Sequence, residues 1–261
     1  MLRIILLTGM TCGTIALAAQ QKEGRVTYER SIEINITMRS DVVFNTPPPQ
    51  TNVSTFELNF AGNIVSWKQQ QEVLPDDPSG NIRVITVGSD GTNWFNLGTG
   101  LRLQQTELGG KNYLVSDSIR NGNWKLTDDS KTILGHACRK AVSTVIGKRS
   151  IAMMENGKME RREIADTSLS EAWFTSDIPV SAGPEIQGQL PGLILELSTR
   201  GGRIHYMATG ISPKADTQAL KEPTRGKKTT APEFAKERTK LMEQMQGPGG
   251  AGGTRVTFTG Q

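Results

Sequence analysis

From Gly24 to Ile211 the chain is cut at short intervals by turn signals, and the runs between the cuts alternate apolar and polar side chains. Runs of that length bury one face as strands; none is long enough to carry the 3.6-residue stripe of a helix. GRVTYERSIEIN at Gly24 to Asn35 starts the series. FELNF at Phe56 to Phe60 and IVSWK at Ile64 to Lys68 flank Ala61-Gly62-Asn63, which predicts a hairpin with a three-residue loop. Asp90-Gly91 separates IRVITVG at Ile82 to Gly88 from WFNL at Trp94 to Leu97. Gly109-Gly110 separates LRLQQTEL from NYLVSDSI, NWKLTD at Asn123 to Asp128 precedes a long strand through Cys138, and Asn156-Gly157 divides RSIAMMENGKMERREI. GRIHYMATGI at Gly202 to Ile211 closes the series. Val42 to Thr55, with Pro47-Pro48-Pro49, reads as a loop of polyproline II character, and Gln69 to Gly80 as an exposed connection. Hairpin following hairpin predicts a mainly β fold, a single antiparallel meander in a strongly curved sheet.

The 261 residues suffice for one large β domain. Residues 1–19 read as a signal peptide: Arg3, the apolar run Ile4 to Leu17, and a small-residue cleavage site at Ala16-Leu17-Ala18. That run is shorter than the ~20 residues a transmembrane helix needs, and no segment of the mature chain is longer. Cys12 follows Met10-Thr11, not the small residues of a lipidation site, and it leaves with the leader, so Cys138 remains without a disulfide partner. The expected setting is therefore export, to the periplasm, the outer membrane or the medium. Residues 20–213 form the expected β domain. Beyond Pro213 the composition changes: nine lysines and arginines face five acids, an excess equal to the net charge of +4 of the whole chain. Residues 214–261 read as a basic linker, a short helix (Thr230-Ala231-Pro232 then EFAKERTKLMEQMQ) with Pro232 in its first turn, a glycine tether and a strand-like end; the tail from Thr230 to Gln261 is expected to be separable, so that truncation after Gly226 leaves the domain folded.

One stretch departs from the hairpin rhythm. GPEIQGQLPGLILEL at Gly183 to Leu197 turns from a glycine-rich corner into a short apolar strand, with Pro191 fixing its own φ and Gly183, Gly188 and Gly192 open to angles other residues avoid. QLPGLI, the residues Gln189, Leu190, Pro191, Gly192, Leu193 and Ile194, resembles the signature of the GLPGLI family of Bacteroidota, with Gln189 where the family usually has Gly. HACRKA at His136 to Ala141 resembles the family's cysteine segment, AWFTSDIPVSAGP at Ala172 to Pro184 its tryptophan strand, and the Lys-rich linker, charged helix and glycine run its C-terminal end. The resemblance implies a half-barrel or bowl, a cell-envelope setting and a structural role for the motif; it supplies no catalytic residues.

Chemistry is sparse. The sequence holds no G-x-S-x-G, H-E-x-x-H, P-loop or dinucleotide fingerprint. Cys138 with His136 two residues away has the composition of a nucleophile and base, yet free cysteines are among the most buried residues, and the expectation is a core thiol. His205 reads as a surface or interface residue, since two histidines do not make a histidine metal site without carboxylates. Met153, Met154 and Met159 suit Cu(I) only if joined by His, Cys or a Met-x-x-Met repeat, and read as gap-fillers. No metal, cofactor or catalytic residue is assigned. The basic tail lacks the aromatic interleaving of a nucleic-acid surface and suits an anionic envelope surface or a protein partner. The expected function is non-catalytic binding, or an accessory role, toward an apolar or carbohydrate ligand or an outer-membrane protein, with Trp67, Trp94, Trp124 and Trp173 as the large contact surfaces. The alternative is a hydrolase of an envelope polymer working through a carboxylate pair.

Overall fold

A computed structural model describes residues 21–34, 50–70, 91–155 and 158–246, with side chains except at 34, 50, 145–166 and 244–246. The leader, the strand expected at Ile82 to Gly88, the Asn156-Gly157 turn and the closing strand-like residues lie outside the described residues.

The strands are β1 (Glu23–Ile34), β2 (Gln50–Ala61), β3 (Ile64–Gln69), β4 (Thr92–Asn96), β5 (Leu101–Leu108), β6 (Lys111–Ser118), β7 (Lys125–Ile133), β8 (His136–Glu155), β9 (Lys158–Thr175), β10 (Leu193–Thr199), β11 (Ile204–Ser212) and β12 (Lys227–Thr230), followed by helix α1 (Ala231–Gln246). All strands join one open, curved sheet in the order β12-β6-β5-β4-β3-β2-β1-β11-β10-β9-β8-β7. The mainly β architecture with a C-terminal helix is thus as the alternation predicts. The meander runs in two parts, β1 to β6 and β7 to β11, joined where β1 pairs antiparallel with β11 from Arg25↔Ser212 to Ile32↔Ile204.

Local differences have local causes. Thr51 to Thr55, expected in a loop, are strand: β1 offers them a full antiparallel edge, with pairing continuing to Ile34↔Gln50. The β2–β3 turn is tighter than expected, because Ala61 pairs with Ile64 and leaves Gly62-Asn63 as a two-residue loop, with Gly62 at φ 55°. Leu134-Gly135 makes a two-residue turn between β7 and β8 with both φ positive, a hairpin without the usual Asn or Gly in its first position. Past Val142 and Glu171, β8 and β9 pair only with each other, up to Glu155↔Lys158 on either side of Asn156-Gly157.

The inner face carries the main core. Phe56 stacks on Trp67 at 4.9 Å, and Tyr28 and Tyr206 meet Trp67 edge-on at 5.5 and 6.0 Å. Val26, Leu58, Phe60, Ala172, Phe174, Leu195 and Leu197 complete it from both halves of the sheet. Each fully buried Leu or Phe contributes roughly 1.5–3 kcal/mol relative to exposure, which is what keeps so wide a sheet curled on itself.

The segment read as a basic linker is a strap. After β11 it crosses the outer face of the sheet: Asp216 N donates to Asn59 Oδ1 at 2.8 Å, and Trp94 Nε1 donates to Leu220 O at 2.9 Å. Trp94, Leu103 and Leu114 form a small core on that face. The chain then adds β12 parallel to β6, Lys227↔Tyr113 to Thr230↔Ser116, and turns into α1 on the opposite face, where Ala231, Phe234 and Leu241 cover Leu108, Tyr113 and Val115. Glu233 accepts the Thr230 backbone N–H at 3.0 Å, the glutamate half of a T-x-x-E capping box. Lys227 to Thr230 thus belong to the sheet, and truncation after Gly226 would remove this edge strand along with the tail.

Candidate functional site

The QLPGLI bend is the packing around which the inner face closes. Residues 176–192 leave β9, fold over the inner face and return to β10, burying Ile178, Val180, Ala182 and Leu190 in the main core. Leu193 N donates to Ile178 O at 3.1 Å, Ile194 N to Ala182 O at 2.9 Å, and Ser181 Oγ to Leu190 O at 2.5 Å. Tyr28 OH, fully buried, donates to Ile194 O at 2.6 Å and ties β1 to the motif, and burial pushes its pKa far above the usual phenol range. Gly192 lies against the chain it must pass: a Cβ there would sit 2.1 Å from Thr175 O. Leu193 and Ile194 are buried and Pro191 is exposed. Gln189 has no positive φ and works through its amide, accepting from Trp124 Nε1 at 2.8 Å and donating to Arg120 O at 2.8 Å, which fastens the bend to the β6–β7 connection.

The reactive-looking residues are dispersed. Cys138 is buried, its Sγ points to His136 O at 3.5 Å, and burial raises its pKa, so the thiol has no base beside it. His136 Nδ1 instead meets Asp177 at 3.3 Å. His205 Nε2 meets Glu196 at 3.2 Å, and Glu196 also holds Lys131. Trp67 and Trp94 are buried; Trp124 and Trp173 are partly exposed, Trp173 with Lys131 Nζ 4.2 Å above its ring. Met153, Met154 and Met159 lie on the β8–β9 ribbon, their side chains outside the described set. Among the described residues no three His, Cys, Asp or Glu converge as a metal site.

Two polar regions remain. One, of about 690 Å³, lies under the strap on the outer face, with Glu57, Asp216 and Glu222 set against Lys68, Lys221 and Arg225. Its charges balance, and Gln70 of its lining precedes residues 71–90, outside the described set. The other is a polar floor on the inner face, formed by Asn93 of β4, Arg102 and Gln104 of β5 and Asp117 of β6; the register sets these side by side, Asn93↔Gln104 and Arg102↔Asp117. None of these four side chains is apolar and all are half-buried. Arg102 donates from Nε and Nη2 to Asn93 Oδ1 at 3.2 and 2.9 Å, and from Nη2 to Gln104 Oε1 at 3.4 Å. Burial lowers its pKa, with Asp117 pulling the other way, Arg120 reinforcing the drop and Glu185 opposing it. Glu185, from the bend, is held at φ 56° and accepts from the buried Tyr206 OH; a non-glycine residue held in that region costs of order 1 kcal/mol and persists only where its neighbours fix it. Burial, then Glu185, raise the Tyr206 pKa. Sequence reasoning missed this floor, since its four residues come from three strands and form no motif.

A family model of unknown function, described as "Protein of unknown function (Porph_ging)", matches residues 124–196. That span holds the HACRKA, AWFTSDIPVSAGP and QLPGLI stretches. No curated protein matches the chain. Among solved structures the chain is similar to PNGF-II in two crystal forms, C2 and P21, with TM-scores of 0.53 and 0.50 at 19% identity. Each likeness covers 84% of this chain and 33% of the PNGF-II chain, so it spans a third of that protein and is one of fold. No described helix is long and apolar enough to cross a membrane.

Proposed function

We propose that this chain is a non-catalytic binding or accessory module of the cell envelope, of GLPGLI type, exported to the periplasm, the outer membrane or the medium, and that it receives its ligand on the inner-face floor around Arg102. The observation that carries the reading is a half-buried guanidinium held by neutral amides, with no carboxylate within ion-pair distance among the described residues. Burying a charge among neutral partners costs more than burying it beside an anion, an arrangement that suits a surface completed by something else. The leader-like residues 1–19 and the resemblance at Gln189 to Ile194 support the envelope setting. A thermal-shift screen over envelope lipids and glycans, run with a product assay on the same compounds, tests the reading: a compound should raise the melting temperature of the native protein and not that of Arg102→Gln, without turnover. The hydrolase alternative needs two carboxylates about one bond; Asp117 lies opposite Arg102 in the register and Glu185 acts on its charge from the bend. Turnover abolished by Asp117→Asn or Glu185→Gln would make it the better reading.

A further inference from the structure

We infer that the inner-face floor recognises an oxyanion, a carboxylate or phosphate group carried by the ligand, between Arg102, Asn93 and Gln104. This rests on the binding reading and narrows it. The amide oxygens of Asn93 and Gln104 are both spent on Arg102. A guanidinium has only donors, so the oxygens, not the nitrogens, of those amides must face it. Each amide therefore turns its NH₂ group away from Arg102. Neither Asn93 Nδ2, Gln104 Nε2 nor Arg102 Nη1 has an acceptor among the described residues. The three together present donors and one positive charge.

The neighbouring acids do not fill this role. Asp117 accepts from Ser118 N at 2.8 Å and pairs with Arg120 at 3.8 Å, and Glu185 is engaged by Tyr206. Arg120, its side chain 85% exposed, adds a second cation at the rim. The contact from Arg102 Nη2 to Gln104 is at the long limit of a hydrogen bond and is readily exchanged for a better acceptor. An oxyanion taking Nη1 and that Nη2 hydrogen makes the end-on, two-bond fork for which arginine is suited; Gln104, released from Nη2, is free to turn its NH₂ toward it, while Asn93 keeps the guanidinium edge fixed. A neutral saccharide hydroxyl can use one such donor at a time and gains no charge-assisted bond.

The test follows the Arg102 Nε–H and the Asn93 and Gln104 side-chain amide signals by NMR during titration of the full chain with trigalacturonate, glycerol phosphate and neutral maltotriose. At least one of the two anions should shift these signals saturably, and which one does so separates an acidic glycan from a phosphate-bearing headgroup. Arg102→Gln should weaken that binding about tenfold or more, the loss of one charge-assisted pair. Asn93→Asp, which places a carboxylate against Arg102 from within the chain, should abolish anion binding while raising the melting temperature. That variant keeps the test decisive if Arg102→Gln does not fold. Equal saturation by maltotriose, or undiminished anion binding in Asn93→Asp, overturns the oxyanion inference and leaves the binding reading standing. Silence of the floor signals to all three probes also overturns it, whereas the binding reading falls only if the lipid and glycan screen is blank as well.

Discussion

Replacing Gly192 by alanine tests whether the bend is held by backbone contact. An alanine Cβ would stand 2.1 Å from Thr175 O, 2.8 Å from Thr175 C and 3.2 Å from Ser176 N. An ordinary carbon–oxygen contact is above 3 Å, so the two chains must part by about an ångström. The obstacle is a carbonyl in the last residue of β9, so no rotamer relieves it, and the displacement loosens the Leu193↔Thr175 pairing and the Leu193 N to Ile178 O bond. Overpacking costs typically about 1–3 kcal/mol, and a rigid backbone neighbour places Gly192→Ala at the upper end, about 3 kcal/mol. At this chain length that lowers the melting temperature by roughly 6–12 °C. The control is Gly210→Ala in β11, where a Cβ meets nothing within 4 Å and φ is not positive. Urea unfolding followed by tryptophan fluorescence compares the two midpoints. If Gly192→Ala unfolds within about 0.5 kcal/mol of Gly210→Ala, the bend yields easily and the argument from contact is wrong.

Gln189→Gly, which installs the residue usual in the resembled family, removes both bonds to the β6–β7 connection and should cost about 1–2 kcal/mol in the same assay. In a Cys12→Ser protein, Cys138 should resist a thiol reagent at mildly alkaline pH and label at once in denaturant, because burial keeps the thiol protonated and covered. Glu233 has its carboxyl held below the usual range, first by the Thr230 backbone N–H and then by the Thr230 and Thr229 side chains, so its contribution to α1 is complete above the unfolded carboxyl pKa and disappears as pH falls through the lower folded value. Amide protection factors in the first turn of α1, exchange corrected for its intrinsic pH dependence, should therefore drop on acidification in the native protein and show no such step in Glu233→Gln.

Much of the fold was legible because period-two alternation is written locally. Val26 and Tyr28, Leu58 and Phe60, and Val65 and Trp67 alternate in the sequence and are buried as that pattern requires. What period two does not encode is which strand lies next to which. Nothing in Gly24 to Asn35 announces that its second edge belongs to residues 204–212, since the partner surface is made by β11 alone. The strap failed for a different reason: Lys214 to Arg225 is polar and charged like any solvated linker, and it is pinned by a backbone N–H at Asp216 and a backbone carbonyl at Leu220, groups every residue has. Gln189 was visible as a departure from the motif, yet its use, two amide bonds to residues 65 to 69 positions away, depends on a neighbour only the fold supplies. The Arg102 floor was invisible for the same reason.

Because β1 sits in the interior of the sheet while opening the described chain, its second edge stays bare until residues near 204–212 have been made; Arg25 and Ser212 are 187 positions apart. That closure is among the most non-local events a chain of this length can require, and loop entropy makes such pairings slow. In the interval Val26 and Tyr28, fully buried in the finished sheet, line a strand with one open flank, a ready template for another chain. Assembly therefore runs as two half-sheets that wait for each other, and refolding should slow and lose yield as protein concentration rises, with β1 and β11 the last elements to gain exchange protection.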